Sequence, residues 1–115
     1  MNNKKIYISG AMSNLPRLEY RALFCRAENL LRQRGYRKIV NPCNTIIGRN
    51  RWLYRLVGYK LTLLYDLWLL WHCDAICMLP NWTQSRGAII EHMTADEWNI
   101  ETINLDWCEL YEHKQ

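Results

Sequence analysis

The chain has 115 residues, half of them apolar, with a formal net charge of +4 and a pI of about 8.9. That length supports a single domain around one hydrophobic core, and residues 1–115 are read as one unit. The longest apolar region, Leu61 to Pro80, is interrupted by Asp66, His72 and Asp74, whereas a membrane span needs roughly 18 or more uninterrupted apolar residues. No membrane partner is therefore expected. Lys4 and Lys5 run directly into a strand-like stretch, which is not the pattern of a secretory leader. The five cysteines, Cys25, Cys43, Cys73, Cys77 and Cys108, are odd in number and lack C-x-x-C spacing or histidines at zinc-site distances. Reduced thiols in a cytoplasmic protein, with no metal and no organic cofactor, are the expectation.

Taken in chain order, Lys5 to Ser9 reads as a strand closed by the turn signal Gly10. A loop follows to Pro16. From Arg17 to Arg34 apolar residues recur at Tyr20, Leu23, Phe24, Ala27, Leu30 and Leu31, the spacing of an amphipathic helix. Pro16 suits its first turn and Gly35 its C′ position. Lys38 to Asn41 is a short second strand stopped by Pro42, and residues 43–51 read as a loop. Trp52 to Cys73 has helical character in two pieces, with Asp66 as N-cap of the second, Leu67 to His72. Asp74 to Leu79 is a third, fully apolar strand whose first residue braces its start. Ser85 caps the next helix, which runs to Trp98, Ile100 to Leu105 is a fourth strand, and the tail is a short helix or frayed.

Strand and helix in alternation imply an α/β fold, a parallel sheet of about four strands with helices on both faces. Right-handed crossovers favour a doubly wound, Rossmann- or flavodoxin-like sheet of order 2-1-3-4. Such a sheet reverses direction between strands one and three, and ligands bind in that crevice, outside the carboxyl ends of the strands. The loops 10–16 and 80–85 meet there. An N-cap acid on the helix entering strand three would lie near the same mouth, which brings in Asp66.

The stretch from Trp82 to Glu91 is the richest in chemical content. Glu91 lies four residues after Gly87, so the two share a helix face, and the missing side chain at Gly87 leaves room for a ligand to reach the carboxylate. The free N–H groups at the start of that helix suit an anion. Gly10 belongs to the facing loop, and Met12 and Trp82 are candidate walls of a ligand pocket. Basic residues are spread from Arg17 to Arg55 without an RNP, zinc-finger or KH pattern, so they read chiefly as a solubilising surface, and a small phosphorylated ligand fits the charge about as well as a polynucleotide. No Gly-x-Ser-x-Gly elbow and no Cys-His or Ser-His pair is evident.

Ile6 to Met12, Asn41-Pro42, Asp66, Asp74 to Ile76 and Leu79 to Trp82, followed by Ser85-Arg86-Gly87-Ala88 and Glu91, together resemble the nucleoside 2-deoxyribosyltransferase-like superfamily over roughly residues 4–104. The similarity is greatest to a branch of small bacterial and phage proteins built on a domain of unknown function. The resemblance implies cleavage or exchange of an N-glycosidic bond on a nucleoside 5′-monophosphate or deoxynucleoside. It implies Glu91 as nucleophile, Asp66 near the leaving base, Tyr7 orienting the nucleophile, and Ser85 at a phosphate-binding position. It also implies a homo-oligomer, commonly a dimer, for which the Trp-rich region 52–71 is the candidate contact. The chain departs from the nucleotide hydrolases of the group in carrying Ser13-Asn14 where they place an arginine, and in the long insertion from Cys43 to Tyr59. Arg17, Arg49 and Arg86 are the candidate replacements. The competing expectation is a nucleotide-binding or sensing module without turnover. For an enzyme, the helix N-terminus and Tyr7 are expected to keep Glu91 ionised, while Glu91 raises the pKa of Asp66.

Overall fold

The computed structural model describes residues 2–11, 17–44 and 51–111. Met12, Pro16, Arg49 and the tail beyond Tyr111 lie outside the described residues, as do the side chains of Arg17, Trp52 and Tyr54. Four strands, β1 (Asn2–Ser9), β2 (Tyr36–Val40), β3 (Ala75–Met78) and β4 (Glu101–Asn104), form one sheet of order β2-β1-β3-β4 with every pairing parallel. The helices are α1 (Arg17–Gln33), α2 (Arg51–Trp71), α3 (Arg86–Glu97) and α4 (Trp107–Tyr111). The architecture is the doubly wound α/β sheet read from the sequence. No helix among the described residues is long and apolar enough to cross a membrane.

Alternation along β1 and β3 divides the molecule into two layers, because successive strand residues point to opposite faces. Ile6, Ile8, Ala75, Cys77 and Leu79 meet Leu23, Phe24, Ala27 and Leu31 of α1 and Leu110 of α4. Tyr7, Ile76 and Met78 meet Leu70 of α2 and Ala95 of α3. Burying a Leu, Ile or Phe side chain is worth about 1.5–3 kcal/mol; the first layer holds Ile6, Ile8, Phe24, Leu31 and Leu79 with no exposure at all, and the second Leu70 and Ile76.

Local signals explain where elements stop. Gly35 takes φ +99 after α1, a left-handed value that glycine adopts without penalty. Asn99 closes α3 at φ 58, with Ile100 N–H donating to Ala95 O. Gly10 ends β1 for a different reason: a Cβ there would lie 2.6 Å from Leu79 Cδ1, so only glycine lets β1 and the buried Leu79 approach. Asp74 joins β3 to β1 at their start. Its carboxylate accepts from Lys5 N–H at 2.9 Å, and its own N–H donates to Lys5 O.

Several boundaries differ from the sequence reading, among them the start of β2 at Tyr36 rather than Lys38. β1 begins at Asn2 rather than Lys5, with an irregular register against β2 between Asn2 and Lys5. The break in the long helix falls at Gly58, with φ 82 and ψ 170, and not at Asp66. Asp66 is therefore no N-cap; it stands about two turns inside a continuous helix. Asp/Asn chemistry at a helix start is a strong local signal, but a left-handed glycine interrupts a helix more decisively than an acid that can simply sit on a buried face.

Candidate active site

The site is built on the α2/α3 side of the sheet. Tyr7 and Ser9 are two apart on β1, so their side chains leave the same face; they pair with Ile76 and Met78 of β3. Ser85 caps α3 as expected, its side-chain oxygen accepting from Ala88 N–H at 3.3 Å. That start point sets the phase of the helix: Ala88, Glu91 and Ala95 form its buried face. Ala95 reaches the sheet, and Glu91, four residues earlier, lies one turn nearer the carboxyl ends of the strands. The same construction recurs on α2. Leu70 is fully buried against Tyr7 and Ile76, and Asp66, four residues earlier, lies one turn nearer the same edge. Each acid thus sits one turn above an apolar anchor, on neighbouring helices that pack together.

Glu91 is 6% exposed and both its oxygens are held. The Tyr7 hydroxyl donates to Oε2 at 2.9 Å and the Ser9 hydroxyl donates to Oε1 at 2.6 Å, the latter within the short range of a charge-assisted O–H···O⁻ bond. Burial pushes the Glu91 carboxyl up to about 7, with the Ser9 and then the Tyr7 hydrogen bonds pulling it down. This corrects the expectation that Glu91 is simply kept ionised, since desolvation of a buried carboxylate outweighs two donors. Asp66 is pushed up to about 8, first by burial and then by the charge on Glu91. Tyr7 stays protonated, its pKa well above the ordinary value because of burial and of the charges on Glu91 and Asp66. Asp66, Glu91 and Tyr7 are therefore within electrostatic reach of one another.

The crevice rim is tied together by Asn81, 5% exposed, whose side-chain oxygen accepts from Ala11 N–H at 3.1 Å. This bond joins the loop that begins at Gly10 to the turn that precedes Ser85. Trp82 is partly buried and lies flat against His92, with centroids 4.5 Å apart and planes at 17°; it stands at the rim with one ring partner already in place. Gly87 occupies the first turn of α3. Arg86, its exposed neighbour, is the one candidate cation whose side chain falls among the described residues; Met12 falls outside them. Among the described residues no three His, Cys, Asp or Glu side chains are grouped to hold a metal.

Sequence reasoning missed Ser9 and Asn81. A serine in phase with Tyr7 inside an otherwise apolar strand was the available signal, because a buried hydroxyl must find a partner. Asn81 gave only the generic signal of a turn residue after Pro80. An open groove of about 270 Å³ is lined by Ile90, Met93, Thr94 and Glu97 of α3, without Glu91. Its apolar lining lacks the paired titratable groups that mark a reactive site.

Comparison with known proteins adds a family. No curated protein and no solved structure matches the chain significantly. A family model does match, over residues 4–104, which takes in both acids, Tyr7, Ser9 and all of the sheet but the first two residues of β1: the chain belongs to the DUF4406 family, a domain of unknown function.

Proposed function

We propose that this protein cleaves or exchanges the N-glycosidic bond of a nucleoside 5′-monophosphate or deoxynucleoside, in the manner of the nucleoside 2-deoxyribosyltransferase-like superfamily that its motifs resemble. The observation that carries this reading is the electrostatic coupling of two desolvated acids on neighbouring helices, with the lower-titrating one gripped at both oxygens by Tyr7 and Ser9. Two neighbouring carboxyls whose environments separate their pKa values are suited to opposite roles, nucleophile and acid.

Glu91, ionised, attacks C1′; an oxygen–carbon ester bond forms as the C1′–N bond breaks and its electron pair passes to the base. Asp66, still protonated, gives its proton to the departing nitrogen. A water, or a second base, then attacks C1′ while Asp66 takes the proton it releases, and the ester electron pair returns to Glu91. Splitting one high barrier into two lower ones is the usual gain of covalent catalysis. The two acids hold the required charge states together between about pH 7, where Glu91 ionises, and about pH 8, where Asp66 does. Base release should follow a bell between those limits. Ser85, already an N-cap acceptor, offers its proton and the N-terminal N–H groups of α3 to the 5′-phosphate.

The test is incubation with ribo- and deoxynucleoside 5′-monophosphates and chromatography for free base. Release that disappears in Glu91→Gln supports the reading. Tight nucleotide binding without release over hours would select the nucleotide-sensing alternative instead. We also propose self-association through α2, where Leu61, Leu64, Trp68 and Trp71 are all more than half exposed at the three-four-three spacing of a helix-pairing seam. Light scattering of Trp68→Glu should then show a smaller particle than the parent protein.

A further inference from the structure

Ser9 is the last residue of β1, only 1% exposed, at the end of a run of wholly buried side chains. A hydroxyl placed there contributes nothing to apolar packing that alanine would not supply. Its distinguishing contact is the 2.6 Å hydrogen bond to Glu91 Oε1. Tyr7 serves the other oxygen from a position two residues deeper in the strand. The two hydroxyls therefore divide the carboxylate between them, the shorter side chain holding its oxygen from the crevice edge of the strand.

We infer that Ser9 is a positioning residue for the proposed reaction, holding Glu91 Oε1 as the attacking oxygen and receiving it again when the ester breaks. The inference rests on the glycosidase reading for its catalytic meaning, but not for its physical content. While Glu91 is ionised, the Ser9 proton stabilises the charge on Oε1. As the Oε1–C1′ bond forms, that charge is used in the bond and the hydrogen bond weakens. As the bond breaks, the electron pair returns to Oε1 and the Ser9 proton is in place to meet it. Tyr7 meanwhile stays on Oε2, which becomes the ester carbonyl oxygen. The groups facing Glu91 are Tyr7 and Ser9 from β1 and Asp66 from α2; β3 presents the apolar Ile76 and Met78, and His92, next to Glu91 on α3, is turned onto Trp82.

The experiment compares Ser9→Ala and Ser9→Thr by following the Glu91 side-chain carboxyl in ¹³C-glutamate-labelled protein, assigned by its loss in Glu91→Gln, alongside the pH profile of base release. Ser9→Ala should raise the Glu91 titration by about one unit, the scale of one lost hydrogen bond. The acidic limb of base release should move up with it, kcat should fall more than KM rises, and Ser9→Thr, which keeps the hydroxyl, should restore both. An unmoved Glu91 titration in a folded Ser9→Ala protein would overturn the inference, as would a Ser9→Thr variant no better than Ser9→Ala. If the parent protein releases no base, the glycosidase reading fails on its own, while the carboxyl titration still decides whether Ser9 governs Glu91.

Discussion

Ile6 and Ile8 leave β1 on one side, Tyr7 and Ser9 on the other, and the two layers they enter are unlike. The α1/α4 side is closed by aliphatic side chains and Phe24. The α2/α3 side buries a carboxylate, two hydroxyls and, one helix away, a second acid with a raised pKa. One strand with a period of two thus supplies packing to one face and polar groups to the other. Packing and charge are thus separable: both layers bury apolar side chains, and the second also retains desolvated carboxyl groups at some expense to stability.

Substitutions should break that contrast in graded steps. Phe24→Ala, on the apolar side, should cost about 3–5 kcal/mol in a urea melt while leaving the pH limits of base release in place. Asp66→Asn, on the polar side, should act in the opposite sense on stability. The folded pKa of Asp66, about 8, lies above the value of about 3.9 expected when unfolded. Between those values the folded state holds a proton the unfolded state lacks, so stability is greatest at and below the lower value and is lost as pH rises through the upper one. The asparagine variant should match the parent near pH 4 and exceed it by up to about a few kcal/mol near pH 9, although its base release falls by about 10²–10⁴-fold. Equal stability of the two proteins at both pH values would remove the charge from the ledger of that layer. Ser85→Ala should be the mildest, costing about 1 kcal/mol for the lost cap, with a weaker grip on the 5′-phosphate read as a raised KM.

The strand order and the two-layer division were legible because they follow from element alternation and from one buried apolar strand, Ala75 to Met78. The cap at Ser85 was legible from residue type and Glu91 from its spacing after Gly87, and the structure has that cap with Glu91 on the buried face of α3, whereas Tyr7 stood out only through the family resemblance. Asp66 was found for the wrong local reason. An acid at that point of the sequence reads as a helix start, whereas Asp66 lies inside a helix that breaks at Gly58, one turn from the buried Leu70. The balance of charge was not legible either. A period shows which residues share a face, but the depth to which Glu91 is desolvated depends on how closely α2 and α3 cover the sheet. Ser9 was hidden for a similar reason: its type was visible, and its partner on another element was not.

The central claim is that Asp66 and Glu91 form one coupled pair. Its most direct measurement is a ¹³C titration of the Asp66 side-chain carboxyl in the parent protein and in Glu91→Gln. The account predicts that Asp66 titrates near about 8 in the parent and clearly lower once the charge at position 91 is gone, with burial alone still holding it above the ordinary range. The same titration midpoint in both proteins, or an Asp66 that titrates as an ordinary solvated carboxylate, would contradict it.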